Sequence, residues 1–183
     1  MRMIQQMISW LPQLLNGAKI TILLTLCAVS MGLLLSIFLA LGKMSKNKIL
    51  SGICSVYIFF FRGTPLLMQL YFIYFGLPQI NMALTINSRF FAAFLAFSLN
   101  SAAYCSEFIR AAIQSIDRGQ FEASKALGLS KAQTMQLVIF PQSIRRLVPS
   151  VANEFIMVLK DASLVSIIAL ADLTKVTLSL IHI

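Results

Sequence analysis

Long apolar stretches separated by short polar segments dominate the chain from residue 20 onward. An α-helix rises about 1.5 Å per residue, so it needs about 20 residues to cross about 30 Å of hydrocarbon. Four stretches meet that length, at 20–42, 49–77, 90–112 and 147–170, and "FRGTP" interrupts the second. The pattern therefore predicts an all-α polytopic membrane protein, a single domain over residues 1–183 with about four transmembrane helices.

The polar segment between the third and fourth predicted spans carries helix signals of its own. Gln120–Leu127 consists mostly of good helix formers, and Gly128 stands where a left-handed residue would end that helix. Ser130, with Gln133 three residues later, predicts a capping box for a second helix, which Pro141 is expected to stop. A compact helix-turn-helix that docks on another protein is favoured, and a hairpin lying on the bilayer surface is the alternative.

Composition supports the membrane assignment. The chain is 58% hydrophobic and 11% charged, and its mean hydropathy is +0.85. The net charge of +9 fits basic residues in short loops between spans, so no nucleic-acid partner is predicted. Cys27, Cys54 and Cys105 stand singly within apolar segments, which is typical of packing residues rather than metal ligands.

Lysine and arginine positions predict the orientation, because cytoplasmic loops carry an excess of them. One side of the predicted spans holds Lys43, Lys46, Lys48, Arg110, Arg118, Lys125, Lys131, Arg145 and Arg146. The other side keeps Arg2, Lys19, Arg89 and Lys175. This bias places the helix-turn-helix in the cytoplasm and the N-terminus outside.

Charged residues inside the second and third predicted spans are candidates for function, since each is costly in hydrocarbon. Arg62 is expected near mid-membrane, just before Thr64 and a proline that loosen the helix. It either forms part of a substrate-facing bend or pairs with a neighbouring acid for packing. Glu107 is expected close to the cytoplasmic interface, where a structural pairing with Arg110 is favoured over a place in the pathway.

The fourth predicted span contains an unusual density of charge. Only thirteen residues separate Arg146 from Lys160, which is too short to cross, so Lys160 and Asp161 must lie within the membrane if the helix passes through. A re-entrant segment that stops there is the alternative. With passage, Glu154, Lys160 and Asp161 line the protein interior, where a charged or zwitterionic solute would be met.

The third predicted span has a face of small and polar residues. Ser98, Ala102 and Ser106 recur at four-residue spacing, with Asn100 and Ser101 alongside. Small residues at this spacing are typical of a helix or subunit interface. Asn100 and Ser101 are also candidates for lining a solute pathway.

One resemblance covers most of the chain. The residues that carry it in the helix-turn-helix are Glu122, Ala123, Ser124, Gly128, Val138, Phe140 and Pro141. They resemble the EAA loop of ABC importer permeases, in which Glu-Ala-Ala is followed after three residues by Gly and after nine more by Ile-x-Leu-Pro; Ser124, Val138 and Phe140 depart conservatively. Further blocks resemble the polar amino acid branch of that family: Phe60–Pro78, Ala102–Ile116 and Asn153–Ile168.

The resemblance implies a permease subunit of an ATP-driven importer for a polar amino acid, in the bacterial inner membrane. It implies an ABC ATPase, a second permease copy or homologous permease, and an external solute-binding protein as partners. The loop at about 118–141 would dock on the ATPase through Glu122, Ala123, Gly128 and Pro141. The candidate substrate pathway comprises Asp161, Lys160, Glu154, Glu107, Arg62, Thr64, Asn100 and Ser101.

Other function classes fit less well. The chain has no GxxxxGK(S/T) motif, so no cofactor of its own is expected and ATP is expected to bind the partner. An enzyme is not predicted, because His182 is the single histidine and the acids are scattered. A self-sufficient secondary transporter is the alternative, although no internal repeat supports it. Family members usually have a fifth span, which is not expected after Lys175.

Overall fold

The computed structural model describes the backbone of residues 2–181 and the side chains of residues 9–181. These residues are helical throughout, joined by short turns, which confirms the all-α prediction. Along the chain the α-helices are α1 Arg2–Lys43, α2 Lys48–Gly63, α3 Leu66–Tyr71, α4 Leu77–Ile80, α5 Arg89–Gln114, α6 Arg118–Ala126, α7 Lys131–Gln133, α8 Phe140–Asp161 and α9 Leu173–Ile181. Wider π turns cover Phe72–Gly76 and Thr134–Ile139, and 3₁₀ turns cover Met82–Leu84 and Ala162–Ile168.

Helices α1 and α5 pack closely along most of their length and form the centre of the bundle. Gly32 makes this approach possible, because a Cβ there would lie 2.9 Å from the Cβ of Ser101. Ser98, Ala102 and Ser106 are all buried. The small-residue face of the third predicted span is therefore a helix interface within the chain.

The second predicted span is broken rather than straight. Asn47 caps the start of α2 by accepting from two backbone N–H groups, and α2 ends at Gly63. Pro65, which has no N–H to continue the helix, precedes α3. The two segments Lys48–Gly63 and Leu66–Ile80 meet at an angle of 104°. The bend places the last turn of α2 and the first residues of α3 against the middle of α5.

The predicted turn of the helix-turn-helix is confirmed. Gly128 has φ of +74°, the left-handed conformation that glycine adopts at low cost. Its N–H donates to the carbonyl of Lys125 at 3.0 Å, and the N–H of Leu129 donates to that of Ser124 at 3.1 Å. This pair of bonds is a Schellman motif, which ends α6. The capping box between Ser130 and Gln133 is also present.

The expectation that Pro141 ends the second helix is wrong. The helix runs from Lys131 through the π turn Thr134–Ile139 and continues as α8. A proline normally clashes with the carbonyl four residues earlier. The π turn shifts the bonding to five-residue spacing, as in the bond from the Phe140 N–H to the Met135 carbonyl, and so carries the helix past the proline. The helix that contains the fourth predicted span thus starts well before residue 147.

The last described helices bend at a strained residue. Ala169 has φ of +56°, the one positive φ of a non-glycine residue among residues 2–181. After it, α9 turns by 57° from the preceding helix. The side chain of Asp172 caps α9, and the N–H of Leu173 donates to Thr21 Oγ1 of α1 at 3.1 Å. These bonds fix α9 against α1.

Membrane crossing can be judged by length and composition. Of the described helices, Ser9–Lys43 meets both criteria alone, and each of two bent pairs supplies a further broken span. Helix α5 is 26 residues long, but polar residues such as Asn100 and Glu107 lower its hydropathy. The predicted boundaries of the four spans stay predictions. The side chain of Arg2, and all of His182, lie outside the described residues.

Candidate functional site

A cavity of about 470 Å³ lies where the break between α2 and α3 faces α5 and α8. Its apolar wall includes Leu66, Met157 and Leu164. Its polar wall is formed by Arg62, Thr64, Asn100, Tyr104, Glu154 and Asp161. The volume suits a small molecule, and the polar groups converge from three separate segments of the chain.

Two amide side chains hold the break in place. Gln69 Nε2 donates to the Phe61 carbonyl at 2.9 Å, to the Thr64 carbonyl at 3.0 Å and to Thr64 Oγ1 at 2.8 Å. Asn100 Nδ2 donates to the Phe61 carbonyl and to Gln69 Oε1, each at 3.1 Å. The broken helix leaves carbonyls without intrahelical partners, and these amides satisfy them. They thereby fix the segment that carries Arg62.

The carboxylates of the cavity come from α8. Glu154 and Asp161 are seven residues apart, so they lie two turns apart on one face of the helix. Glu154 is only 3% exposed. Neither carboxylate forms an ion pair within residues 9–181. The cavity wall thus holds two carboxyl groups and one guanidinium, a set that offers more oxygen acceptors to a positive group than donors to a negative one.

Glu107 lies outside the cavity wall, between Arg62 and Lys43 at the end of α1. Its carboxylate accepts from Lys43 Nζ at 2.7 Å and from Arg110 Nη2 at 2.7 Å, while Arg62 Nη1 lies 3.9 Å away. The Arg62 guanidinium also lies 5.2 Å from the centre of the Tyr104 ring. The structural pairing expected for Glu107 with Arg110 is present, and Arg62 connects this charge cluster to the cavity.

The structure brings together five of the eight candidate pathway residues: Arg62, Thr64, Asn100, Glu154 and Asp161. The other three do not line the cavity. Lys160 is exposed beside it, and Glu107 sits in the charge cluster. Ser101 is fully buried beneath Gly32, where its hydroxyl interacts with the Glu154 carboxyl group behind the cavity wall. Gln69 was not predicted from the sequence. The feature that could have indicated it is a single amide side chain in an apolar stretch shortly after Pro65.

The helix-turn-helix presents a different kind of surface. Its inner side packs on the end of α5 through the cluster Ile113, Ile116 and Ile139. Its outer side exposes Glu122, Ala123, Gly128 and Pro141. Large apolar side chains are exposed there too: Leu127 by 80%, Leu137 by 64% and Phe140 by 54%. Such a surface, on a turn fixed by its own caps, is typical of a protein interface.

Comparison with known proteins identifies the family. The family described as "Binding-protein-dependent transport system inner membrane component" matches residues 32–179. The chain belongs to this family. Its members are inner-membrane permease subunits of ABC transport systems rather than enzymes, and the ATPase is a separate subunit. The resemblance found in the helix-turn-helix is therefore confirmed.

Individual permeases show how similar the chain is. It is 41% identical over 165 residues to the arginine transport system permease protein ArtQ of Bacillus subtilis, covering 90% of this chain and 74% of that protein. It is 42% identical over 167 residues to the L-cystine transport system permease protein TcyB of the same organism, covering 91% and 70%.

Solved structures agree. The crystal structure of an amino acid ABC transporter with histidines superimposes with a TM-score of 0.87 at 45% identity, covering 92% of this chain and 78% of that one. The inward-facing MetNI methionine ABC transporter gives a TM-score of 0.68 at 18% identity, covering 84% and 73%, and supports the fold alone. The chain is thus a permease subunit with an all-helical ABC-permease fold.

Proposed function

We propose that this permease carries a polar amino acid into the cell, and that the solute passes through the cavity between the α2–α3 break and α8. The proposal rests on two carboxyl groups that form no ion pair within residues 9–181, those of Glu154 and Asp161. They line the same cavity as the guanidinium of Arg62. An unpaired charge inside a membrane protein is costly, so it marks a place where a charged ligand is met.

The arrangement matches the chemistry of a zwitterion. The solute amine binds Glu154 and Asp161, and its carboxylate binds Arg62, with the neighbouring Thr64 and Asn100 orienting it. Because acids outnumber the cation, a neutral or cationic amino acid is favoured over an acidic one. Relatives named for arginine and cystine transport support an amino acid as the solute.

The helix-turn-helix couples the permease to ATP hydrolysis by the partner subunit. We assign docking on the ATPase to its exposed side, with Glu122, Ala123 and Gly128 at the contact and Pro141 at its far edge. ATP binds that partner, and this chain needs no cofactor. The exposed apolar residue Leu127 supports a protein contact more than a solvated loop. Movement of the docked hairpin is passed to α8 and to α5, on which it packs.

The membrane arrangement follows from the basic residues. We place the N-terminus outside and the helix-turn-helix in the cytoplasm, between the third and fourth of four spans. A second permease copy or a homologous permease completes the pathway, and an external solute-binding protein delivers the amino acid. Alternating access then moves the cavity opening from one side to the other. A self-sufficient secondary transporter is not favoured, because the family works with a separate ATPase.

The test is Asp161→Asn in the complex reconstituted with its ATPase and binding protein in liposomes. The change keeps the shape and removes the charge. We expect ATP-driven arginine uptake to fall roughly tenfold or more, since a hydrogen bond to a charged group contributes about 1.5–3 kcal/mol. Assembly with the ATPase should be unchanged.

Lys160→Gln is the matched control, because it removes a charge from the next residue, whose side chain is exposed outside the cavity. Its uptake should stay close to wild type. Unchanged uptake in Asp161→Asn, or equal losses in both variants, would show that the cavity charge does not recognise the solute.

A further inference from the structure

A second cavity, of about 350 Å³, opens beside the charge cluster on the other side of Arg62. Its wall is formed by Lys43, Ser55, Ile58, Phe59, Arg62 and Gly63. Lys43 is the last residue of α1, and the others lie along α2. Two cations therefore face this cavity from different helices, and no acidic side chain lines it.

The charges around this cavity do not cancel. Glu107 is the single acid in contact with Lys43, Arg62 and Arg110, so three cations share one carboxylate, and Arg62 also lines the larger cavity. Arg110 has a second hydrogen-bond partner, because it also donates to Gln114 Oε1 at 2.7 Å. Lys43 uses one of its three donors on Glu107, and Arg62 reaches that carboxylate only at 3.9 Å. The positive charge that Glu107 leaves uncompensated is shared by the three cations, and two of them, Lys43 and Arg62, line the cavity.

A second copy of the chain has no free acid to supply. The chain contains six acidic residues. Their positions are Glu107 in the charge cluster, Glu154 and Asp161 in the larger cavity, Asp172 at the cap of α9, and Asp117 and Glu122 in the helix-turn-helix. If an identical partner subunit were to neutralise Lys43 and Arg62, it would have to use a carboxylate that already has one of these other roles. The excess charge calls for an anion from outside the protein.

The surface around the cavity is strongly apolar. The outer side of α2 exposes Ile53 by 64%, Val56 by 68% and Phe59 by 81%. Phe59 is both exposed on this surface and part of the cavity wall. The ligand that fits has a compact anionic group for Lys43 and Arg62, and hydrocarbon that continues along α2.

We propose that this cavity binds the phosphate of an anionic phospholipid, with the acyl chains lying along Phe59. Basic pockets between spans on the cytoplasmic side are suited to anionic headgroups, and each nearby cation contributes about 1 kcal/mol. Ser55 also lines the cavity and brings a hydroxyl donor for the phosphate. The lipid joins the end of α1 to α2. The proposal uses the membrane placement given above, and it is independent of which solute is carried.

The test is native mass spectrometry of the purified permease–ATPase complex, delipidated and then titrated with phosphatidylglycerol or with phosphatidylcholine. We expect one tightly retained phosphatidylglycerol per permease copy, and weaker, unsaturable binding of phosphatidylcholine. Lys43→Gln should weaken phosphatidylglycerol retention about fivefold, which corresponds to the loss of about 1 kcal/mol. Lys46→Gln is the matched control, since Lys46 lies three residues away with an exposed side chain and should leave retention unchanged.

Ser55→Asp provides a second variant that leaves the cluster around Glu107 intact. Its carboxylate would occupy the cavity beside Lys43 and Arg62 and repel a phosphate, whereas Ser55→Asn should retain the lipid. Equal retention of both lipids, or unchanged retention in both Lys43→Gln and Ser55→Asp, would overturn the proposal. Displacement of the lipid by millimolar inorganic phosphate would also overturn it, because the site would then select a free anion.

Discussion

The helix-turn-helix and the cavity are built in opposite ways. In the hairpin, the fixing contacts join residues close in sequence: the turn bonds reach from Leu129 to Ser124, and the capping box joins Ser130 to Gln133. In the cavity, short-range bonds of Gln69 to Phe61 and Thr64 are joined by bonds between distant elements, as when Asn100 of α5 bonds to the carbonyl of Phe61. A hairpin made by local contacts moves as one body, whereas a cavity made by distant contacts changes shape when its helices shift.

The two regions also differ in what they leave unsatisfied. The hairpin exposes apolar side chains such as Leu127, and such surfaces are typical of sites that bind another protein. The cavity holds two carboxyl groups, Glu154 and Asp161, that form no ion pair within residues 9–181, and we propose that a polar solute binds there. Under the proposed function, the hairpin is the part that docks on the ATPase and the cavity is the part that contacts the solute. Variants in one region should therefore leave the function of the other intact.

The largest effect is expected from Gln69→Leu. The change removes the donor to the carbonyls of Phe61 and Thr64 and the acceptor for Asn100. A buried polar group left unsatisfied costs about 1–3 kcal/mol, so the free energy of unfolding should fall by roughly 3 kcal/mol. Thermal unfolding in detergent and uptake in liposomes measure the two consequences, and both should fall while ATPase binding by the folded fraction persists.

Ser98→Ala is the control for that change. Among the buried side-chain nitrogen and oxygen atoms of residues 9–181, the Ser98 hydroxyl oxygen alone has no hydrogen-bond partner. Its removal should therefore leave stability and uptake nearly unchanged. If Gln69→Leu were as mild as Ser98→Ala, the amides would not be what holds the break.

An intermediate effect is expected from Gly128→Val. A side chain in the left-handed conformation costs about 1–2 kcal/mol, so the turn should open and affinity for the ATPase should fall about tenfold. Solute binding in the cavity should persist. Affinity can be measured by titrating labelled ATPase onto the permease in nanodiscs.

Gly52→Val is matched to this variant, because Gly52 lies inside α2 and a Cβ there meets no atom within 4 Å. It should bind the ATPase as wild type does. Gly128→Asn should recover part of the affinity, since asparagine tolerates the left-handed conformation. Wild-type affinity in Gly128→Val would mean that the turn geometry plays no part in docking.

The smallest effect is expected from Ser130→Ala, which breaks the capping box. Loss of such a cap costs about 1 kcal/mol, so ATPase affinity should fall about fivefold at most. Gln133→Ala removes the reciprocal bond. Because both residues belong to one box, the double variant should cost less than the sum of the single ones. Strict additivity in the same titration would argue against a shared cap.

The contrast between the regions also explains what the sequence could predict. Gly128, Ser130 and Gln133 act within a few residues of one another, so their pattern alone predicts the turn and cap that the structure contains. The prediction that Pro141 ends a helix was wrong because it also rested on a local pattern alone. Its local rule ends a helix, but the π turn before it, formed against the end of α5, carries the helix onward.

The cavity depends on how helices meet, which no short pattern encodes. Length arithmetic places Asp161 inside the membrane, and the "FRGTP" block predicts an interruption. Neither predicts the 104° bend between the two segments, which places Arg62 and Glu154 in the wall of one cavity, nor the amide of Gln69 that holds the break. Lys160 and Ser101 are each adjacent in sequence to a cavity residue but do not line the cavity, because neighbouring side chains on a helix point in different directions.

The central claim is that the cavity of Glu154 and Asp161 binds the solute, separately from the hairpin. It is tested most directly by equilibrium binding of radiolabelled arginine to the purified permease–ATPase complex, without the external binding protein. Wild type and Gly128→Val should bind with similar Kd, and the double variant Glu154→Gln with Asp161→Asn should bind more than about tenfold more weakly. Wild-type affinity in a folded double variant would contradict the account.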